Sequence, residues 1–152
     1  MCVEEMLNNI HKQIISASSE YVNHLAEYIY IYYVSERHLL SFDVFYKINN
    51  IYVERGEINR ALSNNEYVNE SSDKQCLLLD DCLSKIEEIR KYYVNLGEKP
   101  HTECFLVYDV LNDKLIVTYN YNARYETRPD DVHMTPEEEF DKWFSKVKSQ
   151  GL

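Results

Sequence analysis

Glycine and proline are scarce, with three of each in 152 residues. So little glycine leaves scant material for a phosphate-cradling loop, and neither G-x-G-x-x-G nor the Walker-type G-x-x-x-x-G-K-[ST] occurs. G-x-S-x-G and H-E-x-x-H are absent as well, which removes the common local signatures of a hydrolytic serine and of a zinc protease. The four cysteines, Cys2, Cys76, Cys82 and Cys104, include no C-x-x-C pair. That spacing supports neither a zinc knot nor a dithiol redox motif, so reduced, buried thiols are expected. No apolar run could span a bilayer. The segment Met1 to Ile15 sets Glu4, Glu5, His11 and Lys12 among its apolar positions, unlike a signal peptide. The expectation is a cytoplasmic protein with no membrane contact.

Positive charge is also in short supply: 16 Lys and Arg stand against 26 Asp and Glu, for a net charge of −10. Direct binding to nucleic acid through its phosphates needs a basic footprint and is disfavoured. Binding a protein that itself carries a basic groove is not, because an acidic surface is steered into such a groove. Tyrosine, by contrast, is abundant, with fourteen residues. Tyrosine supplies amphipathic contact area at low entropic cost, so tyrosine with surplus carboxylate describes a surface suited to gripping a basic protein. Without a break in composition, residues 1–152 are expected to form a single domain.

Val3, Met6, Leu7, Ile10 and Ile14 recur at helical spacing and predict a helix over 3–17. Glu27 to Val34 is β-branched and aromatic on both sides, and Ser41 to Ile48 alternates apart from Phe45; together they predict a hairpin around Glu36-Arg37-His38. Ile51-Tyr52-Val53 could add a short strand, and Arg55 to Asn69 reads as polar and irregular. Ser72 and Gln75 suggest a capping box for a helix over 73–96, whose stripe Leu79, Cys82, Leu83, Ile86, Ile89, Tyr93 and Leu96 stops at Gly97. Glu103 to Val110 and Leu115 to Tyr121 predict strands joined at Asn112-Asp113. Thr135-Pro136-Glu137-Glu138 opens a last helix with Phe140, Trp143, Phe144 and Val147 on one face. The order α-β-β-(β)-α-β-β-α predicts an α+β fold, an antiparallel sheet of about five strands packed by three helices.

Few groups able to do chemistry fall together. His101-Thr102-Glu103-Cys104 opens a strand, and strict alternation puts His101 and Glu103 on one side and Cys104 on the other, which disfavours a Cys/His nucleophile. Asp130-Asp131-Val132-His133 has metal-compatible side chains but no second ligating segment, so no metal and no cofactor is expected. The run after the last strand offers something else. Tyr121, Tyr125, Glu126, Asp130, Asp131 and His133, continued by Glu137 and Glu138, combine rings with carboxylates, interrupted by Arg124 and Arg128. We take them as the candidate interface for a basic partner. The competing reading is a small enzyme or ligand- or metal-binding domain using His101, Glu103 or the loop Asp130 to His133.

The second half of the chain carries a resemblance. A helix ends in Gly97 and is followed by Lys99-Pro100-His101-Thr102, a strand, a tight turn and the run Lys114 to Tyr121. A closing helix then contains Phe140-Asp141-Lys142-Trp143-Phe144. This is similar to the YezG-like family of bacterial immunity proteins, antitoxins against a polymorphic toxin encoded beside them. An immunity protein of a contact-dependent inhibition system is a second fit. Where the YezG-like family commonly has Pro-Trp-Thr, this chain has Pro100-His101-Thr102. The resemblance implies an antitoxin without catalytic residues, which binds a cognate nuclease domain and covers its active site or substrate groove.

Overall fold

A computed structural model describes residues 2–126 and 134–151. The first helix, α1 (Val3–Tyr21), runs past the expected stop, because Ser18 turns its hydroxyl back onto the Ile14 carbonyl at 2.9 Å instead of ending the helix. Strands β1 (Tyr28–Glu36), β2 (Leu39–Ile48) and β3 (Ile51–Glu54) follow as tight hairpins. The second of these turns on Asn49 and Asn50, both at positive φ. The segment expected to be irregular contains a single 3₁₀ turn (Ile58–Ala61) that buries Ile58 and Ala61, and Asn59 clamps the backbone of Val68 through both of its side-chain atoms.

Helix α2 (Ser72–Asn95) is capped one residue earlier than expected: the Ser71 hydroxyl accepts from the Lys74 N–H at 3.3 Å, while Gln75 donates to the Glu70 carbonyl. Strands β4 (Glu103–Asp109) and β5 (Lys114–Asn120) meet at Asp113, another positive-φ residue. Helix α3 (Pro136–Gln150) begins as expected, with the Thr135 hydroxyl accepting from the Glu138 N–H at 3.2 Å.

The five strands form one antiparallel sheet in the order β3-β2-β1-β4-β5, an α+β fold with three helices. On one face, Ile29, Ile31, Val44, Tyr46 and Leu106 pack against Ile10 and Ile14 of α1 and Cys82, Ile86 and Ile89 of α2. On the other, Tyr30, Tyr32, Phe45 and Tyr52 pack against Phe140 and Val147 of α3. Phe45, the residue that spoils the alternation of β2, is the hub of this second layer. It stacks on Tyr30 at 4.5 Å between ring centres and meets Phe144, Trp143 and Phe140 edge-on at 5.0, 5.1 and 5.6 Å. Beyond the cover of α3, β5 is an edge strand whose Ile116 is 65% exposed. Among the described residues no helix is long and apolar enough to cross a membrane. Cys82 and Cys104 are buried as expected, but Cys2 and Cys76 are exposed.

Alternation fails at the start of β4, and that overturns the expected side for His101. Thr102 donates its N–H to Asn120 of β5 but accepts from Ser35 of β1. In a regular strand both groups of one residue point to the same neighbour, so the backbone turns over here. His101 therefore lies on the same face as Cys104, beneath α1 and α2, while Glu103 faces α3. There His101 Nε2 lies 2.6 Å from the Tyr33 hydroxyl, which lies 2.8 Å from His11 Nε2. With one proton, Tyr33 donates to one ring and accepts from the other. Among the described residues His101 Nδ1 has no partner, so we assign His101 as the donor, which leaves it a bare lone pair instead of an unpaired N–H.

Burial lowers both histidines from 6.5 to about 4, and Cys104 is pushed up to about 12 for the same reason. As pH falls below about 6.5, the unfolded chain takes up protons that the folded chain refuses until about 4, so stability held above pH 6.5 is lost across that window. Between pH 7 and pH 5 the loss should be about 2 kcal/mol for each ring. Chemical denaturation at the two pH values, with NMR titration of both imidazoles, checks this; rings that titrate near 6.5 would refute it.

Candidate contact surfaces

Two buried carboxylates organise the segment after β5. Glu36, the last residue of β1, accepts the successive backbone N–H groups of Arg124, Tyr125 and Glu126 at 2.8, 3.0 and 2.9 Å. Three donors on one carboxylate offset the cost of removing its charge from water. Glu103 is equally buried; it accepts from the Tyr32 hydroxyl and the Asn120 amide, and the Arg124 guanidinium reaches it at 2.7 Å. Because Tyr32 commits its proton to Glu103, the Tyr125 hydroxyl donates to Tyr32, at 2.7 Å. Burial, then the bond to Glu103, raises the Tyr32 pKa, so its proton stays in place. Arg124 also approaches Glu139 in the first turn of α3 at 3.6 Å.

These ties decide where the sequence-derived interface residues stand. Tyr121 is 45% exposed, whereas Tyr125 is half-buried with its hydroxyl occupied, a positioning group for the segment. Glu126 is exposed and its carboxylate accepts from the His38 backbone N–H. Glu137 and Glu138 are exposed beside Glu139, so the Arg124 contact brings them to the same end of the molecule as Glu126. Asp130, Asp131 and His133 lie outside the described residues. The end is not uniformly acidic, since Arg37, Arg90 and Lys99 border it. Arg124, read in the sequence as an interruption of the acidic run, is the residue that fastens it. Glu36 was missed; the signal available was a lone carboxylate ending a strand otherwise made of aromatic and β-branched residues and one serine.

A second surface was missed entirely. Between the end of α1 and the start of α2 lies a cleft of about 500 Å³, lined by Glu20, Tyr21, Tyr67, Leu77 and Asp81 among others. Tyr67 is 73% exposed and Leu77 63% exposed. Tyr67 is held outward because its neighbour Val68 is buried and Asn23 donates to the Tyr67 carbonyl at 3.0 Å. Carboxylates outnumber cations beside the pair: Glu20 of α1 and Asp81 of α2 line the cleft with Lys74, and Asp73 and Asp80, one helical turn from Leu77, are exposed as well; among the described residues Asp81 forms an ion pair, with Lys85 at 2.7 Å. Two large side chains in solvent beside a mainly acidic set of neighbours have the composition of a contact surface.

The competing reading draws on His101, Glu103 or the loop Asp130 to His133; His101 and Glu103 are buried on opposite faces of the sheet, Glu103 paired with Arg124, and the loop lies outside the described residues. Among the described residues no group of three or more His, Cys, Asp or Glu side chains is arranged to hold a metal ion. No protein-family model matches the chain, and no curated protein matches it.

Replacing Glu36 by alanine strands three backbone N–H groups at once. The expected cost is roughly 3 kcal/mol, with hydrogen exchange at Arg124, Tyr125 and Glu126 accelerated far more than in α2. Unchanged exchange at these amides would show that the carboxylate does not hold the segment.

Proposed function

We propose that this chain is a cytoplasmic immunity protein that binds a cognate basic nuclease toxin and covers its active site or substrate groove. The observation that carries the reading is the exposed pair Tyr67 and Leu77 beside Glu20, Asp73, Asp80 and Asp81, four carboxylates that outnumber Lys74 at the same cleft. A nuclease must hold phosphates with Lys and Arg, and an inhibitor that presents carboxylates around apolar anchors gains encounter rate from the charge and residence time from the burial. The net charge of −10 acts in the same direction at longer range. The motif resemblance to the YezG-like family supports the same reading. The contact centres on the Tyr67 surface rather than on the run after β5, where Arg37, Arg90 and Lys99 oppose a basic partner.

Co-expression with the product of the adjacent upstream gene is the direct test. That product should kill alone and be harmless beside this chain; a harmless product, or killing that persists, removes the proposal.

The choice of surface has its own test. Reversing charge at Glu20 and Asp81 (E20K/D81K) should slow association roughly tenfold at low salt and flatten its salt dependence, with the circular dichroism spectrum unchanged. The same reversal at Glu137 and Glu138 should leave the rate within about twofold, as expected for charges away from a contact. The opposite ranking would move the contact to the α3 end.

A further inference from the structure

A third cleft, of about 520 Å³, opens where the β1–β2 turn, the end of α2 and the α2–β4 loop meet. Its walls gather Arg37 from the turn, Arg90 from the last turns of α2 and Lys99 from the loop. In a chain with ten more acidic than basic residues this is a concentration of positive charge. Among the described residues none of the three cations makes an ion pair. Two carboxylates share the lining, Glu36 with three backbone N–H groups on its oxygens and Glu126 with the His38 N–H, and the three cations outnumber them. A second observation is independent of charge. Ser35, 95% buried by its 5% exposure, lines the cleft, and its hydroxyl has no hydrogen-bond partner among the described residues. An orphan hydroxyl beside unpaired guanidinium groups is an unfilled demand for an acceptor.

We propose that this cleft binds a phosphate monoester. Two guanidinium forks, an ammonium and a hydroxyl offer more donors than one carboxylate can use, and they suit a dianion with three terminal oxygens. The Tyr121 ring, 45% exposed at the rim, is available to the organic part of the ester. The cleft is distinct from the acidic surface proposed for the toxin, and the test needs only the isolated chain, so its failure leaves that proposal untouched.

The experiment is an NMR titration of the purified protein with AMP, with adenosine as the uncharged control and sodium chloride at matched ionic strength as the screening control. AMP should produce saturable shifts at the amides of Arg37, Lys99 and Thr102, and neither control should. The surface variant R90Q/K99Q should weaken AMP at least roughly tenfold, and Ser35→Ala roughly threefold or more, by loss of charged and neutral donors respectively. Absence of saturation by about 10 mM, where affinity falls below the weakest specific range, would overturn the proposal. So would equal shifts with adenosine or chloride, or unchanged affinity in R90Q/K99Q.

Discussion

Strand β1 is covered on both faces for eight of its nine residues, and the rest of the molecule is arranged around that burial. A strand so little exposed to water needs its polar atoms answered from within the protein, and the Ser35 hydroxyl is the exception on β1 already described. Tyr33 finds two imidazoles, Tyr32 finds the Glu103 carboxylate, and Glu36 finds three backbone amides. Each answer comes from a part of the chain distant in sequence. Polar satisfaction of one strand thus brings α1, the entry to β4 and the segment after β5 into register with it, a specificity that apolar packing alone supplies less sharply.

The same ties sort the surface charge. Arg124 is drawn inward to Glu103 and Glu139 and is spent there. Arg37, Arg90 and Lys99 remain outside at the hairpin end, while the exposed carboxylates of α1 and α2 dominate the face beside Tyr67. Two regions of opposite character therefore coexist on a chain whose composition suggests only one.

Much of the fold was legible because its signals are local. Hydrophobic period, Thr135-Pro136, Gly97 and Asn112-Asp113 each report backbone preference within a few residues, and the element order follows from them. Misreadings arose where a distant partner overrode a local rule. Ser18 stays helical because it bonds Ile14, and His101 changes face because Thr102 divides its backbone bonds between two strands. Tyr67 escaped notice for the opposite reason: exposure of a single ring in a polar stretch leaves no periodic trace. Surface candidates are less legible than the core, since alternation and helical spacing report what is buried and say little about which exposed residues adjoin one another.

The uncovered rim of the sheet has a consequence for the behaviour of the protein at high concentration. From Lys114 to Asn120 the chain reads KLIVTYN, β-branched, apolar and carrying one charge, with outward backbone donors and acceptors that no sixth strand engages among the described residues. Lys114 is the one local gatekeeper on that rim. Mutual repulsion between molecules of net charge −10 must keep two such rims from zipping together, so colloidal protection here is a property of the whole electrostatic envelope and lapses wherever counter-ions or acidity cancel it.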